Sequence, residues 1–240
     1  MSGVLLGTPT TRDLPVAYTH SLFTTGLKDN LGWYAVQGQD IATGRNRVTK
    51  VFLESYPEFD YLLMHDSDAT WHPNSVQRLL DHKLPVVTGI IFHRHLPTLP
   101  TVGIKAGVEP EGKTMYDFTP AINRIAELFK DHTFSEESKN EILLPPKPEH
   151  LVEIDGCGMH FCLIRRDVLE KIGYPWFQCI TPNAGEDFYF CRKVQEAGFK
   201  IYADFGVYTG HVAGPGIEIG VRELMMYMRD NEKMKTVWYV

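Results

Sequence analysis

Asp66-Ser67-Asp68 closes the apolar run Tyr61-Leu62-Leu63-Met64-His65, and no other acidic pair in the chain is so placed. A continuous apolar run reads as a strand buried on both faces, and in open α/β sheets ligands gather outside the carboxyl ends of such strands. Residues i and i+2 of an extended segment project to one side, so Asp66 and Asp68 can share a hard metal ion or a metal-bound phosphate. The plainer alternative is structural: one Asp makes an Asx-turn and the other caps the helix that follows Pro73.

The elements that would carry this pair alternate along the chain. Gly3 to Gly7 is a short apolar strand that runs into the polar loop Thr8-Pro9-Thr10-Thr11-Arg12. Helical spacing from Val16 to Leu27 and from Ile41 to Tyr56 brackets a second strand at Trp33-Tyr34-Ala35-Val36. The Tyr61 strand, a helix from Pro73 through Leu80 and a fourth strand from Val86 to Phe92 complete a half built of strand, helix, strand. Such alternation predicts an α/β fold, a mostly parallel central sheet flanked by helices.

The middle is less regular. Ile122 to Lys130 looks helical, Ser135 to Glu141 is charged, and Pro145-Pro146-Lys147-Pro148 is a stiff connector. The strands at Val152 to Asp155, Met159 to Arg165 and Lys200 to Phe205 read as a continuation of the same sheet, with helices at Asp167 to Ile172 and Phe188 to Ala197 between them. One domain over 1–240 is expected, with a nucleotide-binding half of about 1–100 and an acceptor-side half of about 150–240.

The 240 residues carry 24 Lys+Arg against 30 Asp+Glu, a net charge of -6 with no basic run, which argues against a nucleic-acid partner. Met1-Ser2-Gly3-Val4-Leu5-Leu6-Gly7 has no basic n-region, and no 18-residue apolar stretch occurs, so the expectation is a soluble, cytoplasmic chain without a transmembrane segment. Cys157, Cys162, Cys179 and Cys191 lack paired spacing for zinc and are expected to be free thiols, mostly buried.

Four ordered elements resemble the metal-dependent glycosyltransferases of the GT-A fold, particularly the inverting family 2 and its relatives. They are Gly44-Arg45-Asn46 opening a helix, the Asp66-Ser67-Asp68 motif, Gly156-Cys157-Gly158-Met159 with Ile164 to Leu169, and Gly185-Glu186-Asp187-Phe188 with Gly210-His211 downstream. Together they span nearly the whole chain. Moving a sugar from a nucleotide diphosphate requires neutralising a departing diphosphate and often deprotonating an acceptor hydroxyl. The resemblance implies a divalent cation as Lewis acid for the first task, held by Asp68 with Asp66 and His211. Imidazole favours Mn²⁺, with Mg²⁺ the alternative.

It also implies Asp187 as general base, with Glu186 beside it at a helix start where backbone N–H groups favour negative charge; a retaining enzyme would instead use Asp187 to orient substrate. Thr8, Pro9, Thr10 and Arg12 occupy the loop that holds the nucleotide-sugar, with Arg45, Asn46, Asp66 and Ser67 as further contacts. Gln37-Gly38-Gln39-Asp40 stands where relatives often place an acidic residue for uracil, so the base stays open between a UDP- and a GDP-sugar. Asp155, Gly156, Cys157 and Trp176 mark the acceptor side, for a glycan, lipid, protein or small molecule. Val212-Ala213-Gly214-Pro215-Gly216 reads as a lid or as an ordinary loop.

Two rivals stand beside this reading. Asp66-Ser67-Asp68-Ala69-Thr70 matches the D-x-D-x-T opening of haloacid-dehalogenase-type phosphatases, with Asp66 as nucleophile, but there the motif normally ends the first strand and here it ends the third. The other rival is a sugar- or nucleotide-binding module that has lost turnover.

Overall fold

A computed structural model of the chain describes residues 2–11, 13–25, 30–95, 98–108, 114–179, 185–230 and 237–239. Arg12, expected at the nucleotide, lies outside the described residues. The first half runs β1 (Val4–Thr10), α1 (Val16–Thr24), β2 (Leu31–Gln37), α2 (Ile41–Ser55), β3 (Tyr61–His65), β4 (Ala69–Thr70), α3 (Ser75–Asp81) and β5 (Val86–Ile90). Then follow β6 (Val102–Val108), β7 (Thr114–Asp117), α4 (Thr119–Leu128), β8 (Ile142–Leu143), β9 (Leu151–Ile154), β10 (Gly156–Cys157) and β11 (Phe161–Arg165). The chain continues through α5 (Arg166–Ile172), α6 (Glu186–Glu196), β12 (Ile201–Tyr208), β13 (Gly210–Gly214), β14 (Ile217–Ile219), α7 (Val221–Asp230) and β15 (Val237–Tyr239).

The main sheet is ordered β2-β1-β3-β11-β5-β12-β8, with β9 also on β12. β1 pairs in parallel with β2 and β3, and β5 with β12, whereas β11 runs antiparallel between β3 and β5. Alternation along the strands feeds two cores, as a two-residue side-chain period requires. Leu5, Leu62, Met64 and Ile164 pack on one face with Val48 and Phe52 of α2, while Val4, Leu6, Leu63 and Leu163 pack on the other with Tyr18, Trp71 and Leu79.

Three local expectations change. Thr8, Pro9 and Thr10 belong to β1 and not to a loop. The pairing with β3 ends at Gly7, but the pairing with β2 continues to Thr10, so Pro9 meets no strand on its β3 side that would need its missing N–H. The irregular middle supplies a second sheet, β10-β6-β7-β15, in which Gly103 and Gly107 hide the apolar alternation. Residues 212–214 are the end of β13 and Pro215-Gly216 the turn into β14, a hairpin whose sheet also includes β4. The Pro145 to Pro148 connector bridges two strands, β8 and β9, that both pair with β12.

Candidate active site

The site lies at the carboxyl end of β1 and β3, where the chain passes from β2 on one side of β1 to β3 on the other. Such a reversal leaves a crevice. A cleft of about 370 Å³ opens there. Pro9, Thr10 and Thr11 around the end of β1, Gln39, Ile41 and Gly44 around the start of α2, Asp66, Ser67 and Asp68 after β3, and His93, Arg94, His95 and His211 line it.

Strand pairing explains which histidines approach the acidic motif. β11 faces β3 with Phe161 opposite His65, and the Asp66 N–H donates to the His160 carbonyl at 3.2 Å, so His160 lies beside the motif. β13 faces β4 with His211 opposite Ala69, and the Val212 N–H donates to the Asp68 carbonyl at 2.8 Å. Gly210 is obligatory in this arrangement, because a Cβ there would sit 2.3 Å from Thr70 Oγ1 and from the Glu218 side chain.

Asp68, His160 and His211 form a group able to hold a metal, their ligand atoms within 4.8 Å of one another. Each ring is oriented by a backbone carbonyl. Because a carbonyl only accepts, His211 Nδ1 donates to Phe92 O at 2.8 Å and His160 Nε2 to Gly210 O at 3.4 Å. That leaves His211 Nε2 facing Asp68 Oδ2 at 3.4 Å, and His160 Nδ1 facing Asp66 Oδ2 at 3.4 Å and Asp68 Oδ1 at 3.7 Å. The last two contacts are long for hydrogen bonds, and His160 Nδ1 is a buried nitrogen without a hydrogen-bond partner. Carbonyl-oriented imidazoles converging on a carboxylate fit a divalent transition metal. Burial would lower the His160 pKa, but Asp66 and Asp68 outweigh it and raise it, while His211 and His160 hold Asp68 below its ordinary value against the same burial.

Asp66 turns elsewhere. Its Oδ1 accepts from Arg45 Nη2 at 2.8 Å, and Arg45 Nη1 donates to both Glu186 and Asp187. Arg45, on α2, is 2% exposed and fully charged. Burial works to raise the Asp66 pKa, yet Arg45 and His160 hold it well below the carboxylate range. Burial pushes Asp187 up to about 8; Arg45 opposes the rise, and the charges of Glu186 and Asp66 add to it. Gly158 lies close by, its Cβ position 3.6 Å from Asp187 Oδ2.

The remaining expected residues are placed as follows. Thr8 is buried below the cleft, its Oγ1 accepting from Trp33 Nε1 at 2.9 Å and bonded to Tyr18 Oη and His65 Nε2. Asn46 grips the 176–177 backbone: Oδ1 accepts from Trp176 N and Phe177 N, and Nδ2 donates to Phe177 O. Trp176 is 7% exposed with its indole N–H on Leu169 O, so it packs as core. Asp155 accepts from Lys105 N and Gln195 Nε2, and Gly156 and Cys157 pair with β6. Asp40 caps α2 by accepting from Thr43 N, which leaves Gln39 as the side chain that enters the cleft from this segment. Cys157, Cys162 and Cys191 are buried free thiols and Cys179 is exposed.

Sequence reasoning missed His160 and the His93-Arg94-His95 wall. A histidine one residue ahead of an apolar strand carries no signal until the register against β3 is known.

No family model matches the chain, and no curated protein matches it. Among solved structures it is similar to A197 from STIV, with a TM-score of 0.53, 18% identity, and coverage of 88% of this chain and 85% of that one. It is also similar to GalNAc-T7, solved with UDP, GalNAc and Mn²⁺, with a TM-score of 0.52, 10% identity and coverage of 88% of this chain. The fold is GT-A-like. The match takes in 44% of the GalNAc-T7 chain, and at these identities the likeness concerns fold alone. Among the described residues no helix is long and apolar enough to cross a membrane.

Proposed function

We propose that this chain is a metal-dependent glycosyltransferase that moves a sugar from a nucleoside-diphosphate donor, UDP- or GDP-linked, to an acceptor hydroxyl with inversion. We further propose that 1–240 acts as one domain, with the nucleotide in the first half and the acceptor against the second. The observation that carries the reading is the shared guanidinium of Arg45, which joins Asp66 of the acidic motif to Asp187 and Glu186 of α6 beside the Asp68, His160 and His211 group. GalNAc-T7, similar in fold, was solved with a nucleotide, a sugar and Mn²⁺, which supports the same class of ligands here.

In this reading Asp68, His160 and His211 hold Mn²⁺, or Mg²⁺ in its place, with Asp66 adjoining. The bound ion would supply Lewis-acid neutralisation of the diphosphate. Pro9, Thr10, Thr11 and Gln39 receive the nucleoside. Asp187 takes the proton from the acceptor hydroxyl, and burial, which raises its pKa against Arg45, makes it a stronger base than an exposed carboxylate. Arg45 positions Asp187 and keeps its charge balanced as the proton moves.

A transfer assay tests this: UDP- and GDP-sugars with Mn²⁺, against simple glycoside and lipid acceptors, should release nucleoside diphosphate, and EDTA should stop the release. The phosphatase alternative needs Asp66 free to attack phosphorus, whereas Asp66 Oδ1 is taken by Arg45 at 2.8 Å. Release of orthophosphate from phosphomonoesters, without any nucleotide-sugar turnover, would favour that alternative.

A further inference from the structure

Nothing in the proposed chemistry uses Arg94, an arginine on the lining of the cleft. Arg94 stands at the mouth of a loop whose base is firmly tied: Phe92 bridges Pro100, His93 N donates to Leu99 O at 2.9 Å, and Thr98 Oγ1 donates to His93 O at 2.6 Å. From that base the Arg94 side chain, 43% exposed, places Nη1 3.5 Å from Asp68 Oδ2. The same oxygen faces His211 Nε2 at 3.4 Å. The guanidinium is thus paired, through a long contact, with the carboxylate that the metal-capable group would use.

The charge balance says where Arg94 would go next. Four carboxylates, Asp66, Asp68, Glu186 and Asp187, gather at the base of the cleft and its rear, and Arg45 already serves three of them. A diphosphate entering this field is repelled unless cations face it. Arg45 is buried with both Nη atoms held by carboxylates, whereas Arg94 lines the open cleft on a long side chain that can pivot. Guanidinium also matches phosphate geometry through paired N–H donors.

We propose that Arg94 is a diphosphate-binding residue held in reserve by Asp68: it leaves that carboxylate when a divalent cation takes it, and turns onto the donor's diphosphate oxygens. Metal binding and anion binding are then coupled through one side chain, which makes the cleft receptive to diphosphate only after the ion has arrived. This rests on the metal and diphosphate reading above.

The test uses the full chain, Arg94→Ala and Arg94→Lys, with two probes: Mn²⁺ alone, followed by electron paramagnetic resonance of the free ion, and inorganic pyrophosphate in the presence of Mn²⁺, followed by calorimetry. Removing Arg94 should leave Mn²⁺ affinity equal or tighter while weakening pyrophosphate about 10- to 100-fold, the loss expected for one charge-assisted contact; Arg94→Lys should recover part of it. Pyrophosphate affinity unchanged in Arg94→Ala overturns the inference alone. A parallel fall in Mn²⁺ affinity also overturns it, since Arg94 would then be ordering the metal ligands. If the wild-type chain shows no Mn²⁺-dependent pyrophosphate binding, the underlying reading fails first.

Discussion

Asp66 and Asp187, one at the end of β3 and the other in the first turn of α6, are bridged by the single guanidinium of Arg45. Nη2 reaches Asp66 at 2.8 Å and Nη1 reaches Asp187. Glu186 joins on the Nη1 side. One buried cation thus ties the acidic motif of the first half to the acidic helix start of the second, and in the proposed function fixes the distance between donor site and base.

Arg45→Met should be among the most damaging substitutions in the chain. Removing one partner of a buried ion pair leaves carboxylates uncompensated, at a cost of about 3–5 kcal/mol. Urea unfolding should show that loss at pH 7. A loss below about 1 kcal/mol would mean that the three carboxylates do not depend on Arg45.

The metal group should respond to each of its members. His160→Ala, His211→Ala and Asp68→Ala should each weaken Mn²⁺ binding by at least the roughly 10- to 100-fold that loss of a mere supporting contact costs. Calorimetry reads this directly. His160 is the informative variant, because a site built from Asp66, Asp68 and His211 alone would bind normally without it.

Asp187→Asn separates chemistry from binding. If Asp187 is the base, turnover should fall about 10²- to 10⁴-fold while nucleoside-diphosphate affinity with Mn²⁺ is kept. Near-normal turnover would remove Asp187 from the proton transfer.

A fourth outcome concerns stability and acid. Asp204 is fully buried; although burial favours its neutral form, His82 and Arg78, with the Gly206 N–H, hold its pKa down to about 2 from 3.8. A depressed folded pKa gives stability that is present above the unfolded value and lost as pH falls through about 2. The shift corresponds to about 2 kcal/mol. Asp204→Asn should be less stable than wild type at pH 7, with the gap narrowing between about pH 4 and pH 2. A gap independent of pH would assign the loss to packing.

Much of the architecture was legible because the governing signals are local. The apolar run at Tyr61 to His65, the helical spacing from Ile41 to Tyr56, and the alternation of strands and helices each state their element without knowledge of the rest. What was hidden depends on register. His160 becomes relevant only because β11 runs antiparallel against β3, and Asn46 and Trp176 join the structural frame only because α2 packs against the 176–177 backbone. Arg45 could be singled out from its motif, but not its three carboxylates, since Glu186 and Asp187 arrive from the far end of the chain. The second sheet was obscured by its glycines.

In the proposed function the cleft binds a nucleoside diphosphate through a metal held by Asp68, His160 and His211. Calorimetric titration of UDP, GDP, CDP and dTDP into the full chain, each with and without Mn²⁺, tests it most directly. At least one of them, UDP or GDP, should bind with Mn²⁺ and lose that binding when Mn²⁺ is withheld. Absence of binding by all four in both conditions, or binding indifferent to the metal, would contradict it.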